Sequence, residues 1–242
     1  MADAEQDPSK RTRLDLLAKE VTSILEELVN FAEEKMDDSA TILQIIVTSA
    51  AEENGEFLVP LSDDRLAALR HSIRIHGDSL DSNFLATAQA WMEKVGREKE
   101  MEGMVVILQK VLQIYAAEDI LRRGGKGGIA ASVGQREAQG GSGGGATVWG
   151  SKTPAGRLLD EVLSTDPDKW DGILSGLARS GGGQMGAVTK DGFMGAIQVA
   201  IETVILQQEN GSMPQRVQAE FLSELCKRVE VACPDNQNPL GL

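Results

Sequence analysis

Apolar residues recur at three- and four-residue steps along most of this chain, which is the spacing of an α-helix that buries one face. The stretch from Glu98 to Arg123 shows this pattern most strongly, and its apolar residues fall on more than one face. A helix that is apolar on several faces is usually covered from several sides. We therefore predict a central helix over residues 98–123, with the remaining helices packed around it.

Two helices are predicted at the start of the chain. The pair Asp7-Pro8 supplies a capping acceptor followed by proline at the first helical position, which predicts a helix from about residue 9 to residue 35. We expect Asp37-Asp38-Ser39 to form a turn, with a second helix over about residues 40–53. One face of the first helix is rich in glutamate and is expected in solvent, which leaves the apolar face for the core. That apolar face consists of Leu14, Leu17, Val21, Ile24, Leu25, Leu28 and Phe31.

Two more helices are predicted before the central one. Ser62 is placed to cap a third helix, with two aspartates in the first turn, where the helix dipole favours anions. A fourth helix is predicted from about Asp81 to Val95, with Phe84 and Leu85 facing inward. Residues 1–123 are thus predicted to form an N-terminal helical bundle.

The composition changes abruptly after Arg123. Residues 124–150 contain 11 glycines among 27 residues, which is typical of a flexible linker. We therefore predict three segments: the N-terminal bundle over 1–123, a Gly-rich flexible linker over 124–152 and a C-terminal helical unit over 153–242. The alternative is one continuous domain in which the glycine-rich stretch is only an expanded loop.

Four helix starts follow the glycine-rich stretch. Thr153-Pro154 and Asp166-Pro167 repeat the cap-plus-proline signal, Thr189 opens another helix, and Ser212 with Gln215 forms a capping box. Together these patterns predict an all-α protein, an antiparallel helical bundle of about nine helices with a long Gly-rich insertion.

The charge of the chain argues against nucleic acid as a partner. The formal net charge is −13, and both large segments are acidic. Acidic surfaces repel nucleic-acid phosphates and anionic lipid heads. No run of 18 apolar residues occurs, so no transmembrane helix is expected. Cys226 and Cys233 would lie about 10 Å apart along one helix, too far for a disulfide, and two unpaired thiols indicate a reducing compartment.

The residues that usually carry catalysis or bind cofactors are sparse. The two histidines, His71 and His76, are five residues apart and would point in different directions from a helix, unlike a zinc-binding pair. Residues 150–153 resemble the end of a phosphate-binding loop, but Ser151 separates the glycine from the lysine. We predict no catalytic, cofactor-binding or metal-ligating residue, and no cofactor.

The sequence favours an interaction protein over an enzyme. We expect a non-catalytic protein-interaction, assembly or accessory subunit that acts through helical surfaces on a protein partner or larger complex. A homo-oligomer is compatible with this prediction. Val148 and Trp149 form an apolar pair in the glycine-rich stretch and are typical of a short docking peptide. Trp149 could equally pack back onto its own chain.

The alternative function is an enzyme or a small-ligand-binding helical bundle whose site is not visible in the sequence. Such a function needs an enclosed pocket with convergent polar groups. The residues best placed to supply these groups are Arg70, His71, Arg74 and Tyr115.

One resemblance bears on location. The Gly/Ser/Ala-rich insertion and the stretch GSMPQRVQAEFLSEL over Gly211–Leu225 are similar in character to nucleus-encoded chloroplast proteins of green algae and plants. The resemblance implies a helical accessory protein of the stroma or the thylakoid surface, whose transit peptide has been removed. Without such a removed segment we expect a cytoplasmic protein. The resemblance implies no catalytic residue.

Overall fold

The computed structural model describes residues 8–125, 149, 153–179 and 188–234. Within these ranges the chain forms eight α-helices and no β-strand, which confirms the predicted all-α class. The helices are α1 (Pro8–Thr48), α2 (Asp63–Ile75), α3 (Ser82–Val95), α4 (Glu102–Gly125), α5 (Pro154–Ser164), α6 (Trp170–Arg179), α7 (Lys190–Gln207) and α8 (Met213–Ala232). Short 3₁₀ turns follow α2 and precede α4 and α6.

Helix α4 is central in the structure, as the sequence predicts. Its buried residues between Ile107 and Tyr115 belong to one hydrophobic cluster, which also contains the end of α1, α2 and α3. Its buried residues between Ala116 and Ile120 belong to a second cluster, formed with α5, α6, α7 and α8. We call these clusters the N-terminal core and the C-terminal core. They meet along α4 because successive turns of this helix are covered by different neighbours.

Large side chains without solvent exposure define each core. The N-terminal core is built on Leu43, Ile46, Leu69, Ile73, Phe84, Leu85, Ile107 and Leu108. The C-terminal core is built on Ile120, Leu159, Trp170, Leu174, Phe193, Ile197, Leu222 and Leu225. These side chains are mostly aliphatic, as expected for a chain with only 4% aromatic residues.

Polar contacts also join the two halves of the described chain. The ammonium group of Lys110 on α4 lies 2.8 Å from Asp166, just before α6. The ammonium group of Lys169 lies 2.6 Å from Asp63 at the start of α2. The Arg70 guanidinium donates a hydrogen bond of 3.4 Å to the Leu163 carbonyl. The segment boundaries stay a prediction, because only Gly124, Gly125 and Trp149 of the predicted linker lie among the described residues.

The predicted turn at residues 37–39 is wrong, because α1 runs unbroken for 41 residues. The Ser39 hydroxyl donates to the Lys35 carbonyl at 2.9 Å, and the Thr41 hydroxyl donates to the Asp37 carbonyl at 3.0 Å. Both hydroxyls therefore bond within the helix instead of capping a new one. The segment also contains no glycine or proline that would end a helix. Two predicted helices are thus one, so the described residues form eight helices where about nine were expected.

Five of the other predicted helix starts are confirmed by the structure. A side-chain oxygen accepts a hydrogen bond from a first-turn backbone N–H at Ser62, Asp81, Thr153, Thr189 and Ser212. Each such cap contributes about 1 kcal/mol to helix stability. The Gln215 side chain reaches back past the Ser212 cap and accepts from the Gly211 N–H at 2.7 Å. Three successive glycines at residues 181–183 predict the end of the helix that contains Trp170, and they lie outside the described residues.

Candidate functional site

The first half of α1 projects from the rest of the described chain. Every residue from Arg13 to Asp38 is exposed, and burial begins only at Ser39. At 1.5 Å per residue these 26 residues extend about 39 Å. We call this segment, residues 13–38, the projecting half of α1.

The apolar stripe predicted for the core lies on this projecting half and is not covered by the described residues. Its members are between 47% exposed at Val21 and 64% exposed at Leu14. The expectation that the stripe is buried is therefore wrong. The exposed large apolar side chains of the projecting half are Leu14, Leu16, Leu17, Val21, Ile24, Leu25, Leu28, Val29, Phe31 and Met36.

Three members of the uncovered stripe, Leu14, Val21 and Leu25, lie on the face by which α1 is anchored. Ser39, Leu43, Ile46 and Ala50 are buried at the start of the N-terminal core. The same three- and four-residue steps lead back from Ser39 along the helix to apolar or small residues at every position. These are Met36, Ala32, Val29, Leu25, Val21, Ala18 and Leu14. This helix face is covered from Ser39 onward and uncovered from Leu14 to Met36. We call the uncovered part the bare face.

Charged residues surround the bare face. The projecting half carries eight acidic and three basic side chains, so its net charge is −5. The Lys35 ammonium lies 5.8 Å from the centroid of the Phe31 ring. An apolar strip with a charged border is the usual composition of a protein–protein contact surface.

A second candidate is a cavity of about 380 Å³ between α2 and α4. It brings together Arg74 and Tyr115, two of the four residues predicted for a ligand pocket. The other two do not line it. Arg70 donates to Glu118 at 2.7 Å beside the cavity, and His71 is exposed on α2. The sequence missed Glu118, Asp119 and Arg122, which supply the other charged groups of the lining.

Asp119 is the most buried charged residue of this cavity, with 3% of its surface exposed. It accepts hydrogen bonds from Arg122, from Arg123 at 2.6 Å and from the Gln218 amide of α8. The Gln208 amide, turned so that its oxygen faces Arg123, accepts from that guanidinium at 2.9 Å. We call these five residues the Asp119 network. Burial by itself raises the pKa of Asp119, but the hydrogen bonds from Arg122 and Arg123 hold that pKa below its usual range.

The charges around the cavity neutralise one another. Arg74 donates two hydrogen bonds to Glu118, at 2.8 and 2.9 Å, and these bonds raise the pKa of Arg74. Arg122 is shared between Asp119 and Asp78, which lies 3.0 Å away. Burial, together with the charge of Asp119, raises the pKa of the Tyr115 phenol, which therefore stays neutral. Both arginines that line the cavity are thus already paired.

Part of the Asp119 network could have been found from the sequence. Arg122 and Arg123 follow Asp119 by three and four residues, which places opposite charges on one helix surface. Gln218 could not have been found in this way, because it is 99 residues away and is positioned by the packing of α8.

The structure places Trp149 against its own chain. The side chain is 5% exposed, belongs to the C-terminal core, and its Nε1 donates to Asp160 of α5 at 2.8 Å. The ring lies against Gly124, the penultimate residue of α4. Val148 lies outside the described residues. A partner-binding role for Val148 and Trp149 stays a prediction, and it requires this tryptophan to leave its present contacts.

Substituting Gly124 by alanine is expected to displace Trp149. A Cβ atom on Gly124 would lie 2.1 Å from the nearest atom of the indole ring, far inside contact distance. We expect a red-shifted tryptophan emission, stronger acrylamide quenching and a loss of roughly 1–3 kcal/mol in the free energy of unfolding. Gly172→Ala is the control, because nothing lies within 4 Å of its Cβ position. Unchanged emission in Gly124→Ala would contradict this placement of Trp149.

The described residues offer little for metal or thiol chemistry. No group of three or more His, Cys, Asp or Glu within these residues is arranged to hold a metal ion. Cys226 and Cys233 are both free, and burial raises the pKa of the Cys226 thiol. Burial that raises a thiol pKa lowers the fraction of reactive thiolate, so the surroundings of Cys226 do not activate it.

Comparison with protein-family models, with curated proteins and with solved structures found no match to this chain. Among the described helices, none combines the length and the apolar character that crossing a bilayer requires. The two features of the described residues that could carry a function are the bare face of α1 and the cavity beside Asp119.

Proposed function

We propose that this protein is a non-catalytic interaction, assembly or accessory subunit that acts through a helical surface. The observation that supports the proposal is the bare face of α1, on which large apolar side chains are about half exposed along about 33 Å from Leu14 to Met36. Monomeric proteins rarely keep a continuous apolar strip of this size uncovered.

The projecting half also needs a partner for its own stability. Helices without tertiary contacts are marginal in water, because most helical stability in proteins comes from packing of an apolar face. Full burial of one Leu, Ile, Val or Phe side chain contributes about 1.5–3 kcal/mol. A partner that covers the bare face would therefore stabilise both the complex and the helix.

The proposal predicts that one substitution on the bare face abolishes partner binding. Leu25→Glu places a charge in the middle of this face, whereas Leu16→Glu makes the same change on the opposite side of the helix. Both leucines are 56% exposed, so the two variants are closely matched. We expect immobilised wild-type protein and Leu16→Glu to capture the same partner from a native lysate, and Leu25→Glu to capture at least tenfold less.

The captured proteins would be identified by mass spectrometry, and tagged wild-type bait would also be tested for capture of untagged copies of this chain. Equal capture by all three baits would contradict a role for the bare face. Circular dichroism of the purified variants serves as the control for folding.

A small-ligand function is the second candidate, supported by the cavity of about 380 Å³ between α2 and α4. Its volume is within the range of ligand pockets. The ion pairs of Arg74 and Arg122 speak for a structural role of the lining residues, because an anionic ligand would have to displace Glu118 or Asp119. The interaction function is therefore preferred.

A chloroplast location is part of the proposal and is supported only by the resemblance of the insertion and of Gly211–Leu225 to chloroplast proteins. In that compartment the protein would act as a stromal or thylakoid-associated accessory subunit.

A further inference from the structure

We propose that the partner of the bare face is the bare face of a second copy, bound antiparallel, so that two α1 helices form the centre of a homodimer. The inference rests on the proposed function, because it assumes that this face is a docking surface. It adds the identity of the partner and the orientation of the two helices.

The bare face reads nearly the same in both directions. From Leu14 to Met36 its members are separated by four, three, four, four, three and four residues, and Leu25 is the centre. The side chains are also symmetric in size about this centre. In order they are Leu14, Ala18, Val21, Leu25, Val29, Ala32 and Met36.

A two-fold interface requires this kind of symmetry. When two identical surfaces bind each other, residue i of one copy meets residue j of the other, and j meets i. With Leu25 on the axis, alanine would meet alanine and valine would meet valine, while Leu14 would meet Met36. The two alanine contacts would also let the helices approach closely. A partner with an unrelated sequence would need no such palindrome.

The fold allows only the antiparallel orientation. From Ser39 onward the same side of α1 is occupied by the N-terminal core. A parallel second helix lying on the bare face would continue directly into that core. An antiparallel helix ends near Ser39 instead, and its own folded body lies beyond Leu14 of the first copy, about 33 Å from Met36.

The charges are compatible with this pairing but do not drive it. On one side Arg13 comes level with Asp38 of the second copy, and on the other Lys19 comes close to Glu33 of the second copy. The projecting half nevertheless carries a net charge of −5, so two copies repel each other overall. Salt screens this repulsion, so the homodimer should tighten as salt is added, whereas a complex with a basic partner should weaken.

The contact area is sufficient for a specific dimer. Nine large apolar side chains of the projecting half, all except Leu16, lie on or beside the bare face. Covering them in both copies removes on the order of 1,000 Å² from solvent, which is at the lower end of specific interfaces. The dimer is therefore expected to form at micromolar protein concentrations.

The molar mass of the full-length purified protein tests the inference, measured by light scattering after size exclusion at 50 and 500 mM salt. We expect twice the chain mass of 25.9 kDa for wild type and Leu16→Glu, and the single chain mass for Leu25→Glu. A monomeric wild type over the whole concentration range up to 100 μM would overturn the inference.

Cross-linking of single-cysteine substitutions tests the orientation. Leu25→Cys lies on the proposed axis and should link to Leu25→Cys of the second copy through a short bismaleimide. Leu14→Cys should not link to its equivalent, because the two positions would be about 33 Å apart. Tryptic peptides 20–35 and 14–19 identify these links separately from Cys226 and Cys233. Linking at both positions would overturn the antiparallel arrangement.

The failure of this inference can be distinguished from failure of the proposed function. In one outcome the wild type is monomeric but captures another protein that Leu25→Glu does not capture. The bare face is then a docking site for that protein, and only the homodimer is wrong. If the wild type is monomeric and no captured protein depends on Leu25, both are wrong.

Discussion

Replacing Trp170 by alanine is expected to lower the free energy of unfolding by about 4 kcal/mol, the range found for removal of a buried aromatic side chain. The Trp170 ring has no solvent exposure and lies at the centre of the C-terminal core. It packs edge-on against Phe221, with ring centroids 5.2 Å apart, and the Arg228 guanidinium lies 5.6 Å from its centroid. Its Nε1 donates to the Val162 carbonyl at 2.9 Å. Alanine would leave a large cavity and a buried carbonyl without its donor.

Urea unfolding followed by helical circular dichroism measures this loss, because the midpoint shift multiplied by the slope gives the change in free energy. Trp91→Ala is the control: Trp91 is only partly buried at the edge of the N-terminal core and should lose clearly less. Trp170→Phe keeps a ring but removes the hydrogen-bond donor. Its loss in free energy of unfolding should lie between those of Trp170→Ala and Trp91→Ala. A loss for Trp170→Ala no greater than for Trp91→Ala would contradict the central place given to this residue.

Replacing Asp119 by alanine is expected to lower the free energy of unfolding by about 3 kcal/mol at neutral pH. Removing one partner from a buried ion pair is destabilising by about 3–5 kcal/mol, because the other partner is left uncompensated. The lower value applies because the guanidiniums of Arg122 and Arg123 are 37% and 28% exposed and keep some hydration. The loss also frees Gln218, whose amide donates to this carboxylate inside the protein.

The effect of Asp119 should depend on pH. The hydrogen bonds from both arginines outweigh burial and hold the folded-state pKa of Asp119 below its usual range. A carboxylate with a lowered folded pKa stabilises the protein above its unfolded pKa of about 3.9, and this stabilisation is lost as the pH falls through the folded pKa. The difference in free energy of unfolding between wild type and Asp119→Ala should therefore have its full value at pH 6–7 and should decrease progressively below about pH 4.

Asp78→Ala is the matched control for Asp119, because Asp78 pairs with the same Arg122 but its side chain is fully exposed. We expect no measurable change for Asp78→Ala, since exposed ion pairs contribute little. Equal losses for the two substitutions, or a loss for Asp119→Ala that does not change down to pH 3, would show that the carboxylate is not held as a buried anion.

The Asp119 network and the bare face of α1 suggest different roles for different parts of the chain. The network ties α4 to α8 and, through Asp78, to the turn after α2, at the level where the two cores meet. It therefore stabilises the body of the protein. Among the described residues, the projecting half of α1 belongs to neither core.

Local signals in the sequence were enough to determine most of the helix starts. Ser62, Asp81, Thr153, Thr189 and Ser212 each cap the helix that the sequence predicts, because a cap depends only on the next two or three residues. The central position of α4 was also predictable, because apolar residues on several faces require several neighbours. Local signals failed at Ser39, whose hydroxyl can either cap a helix or bond within one, and only the continuing helix decides between them.

Tertiary structure decided what is covered and what is bare. The bare face from Leu14 to Met36 and the buried face from Ser39 to Ala50 follow the same periodicity, so the sequence pattern does not distinguish them. They differ because the described part of the chain packs on α1 only from Ser39 onward. In the same way, the placement of Trp149 on Gly124 and of Gln218 on Asp119 joins residues distant in sequence. Periodicity identifies an apolar face, but the packing of other helices determines whether that face is core or contact surface.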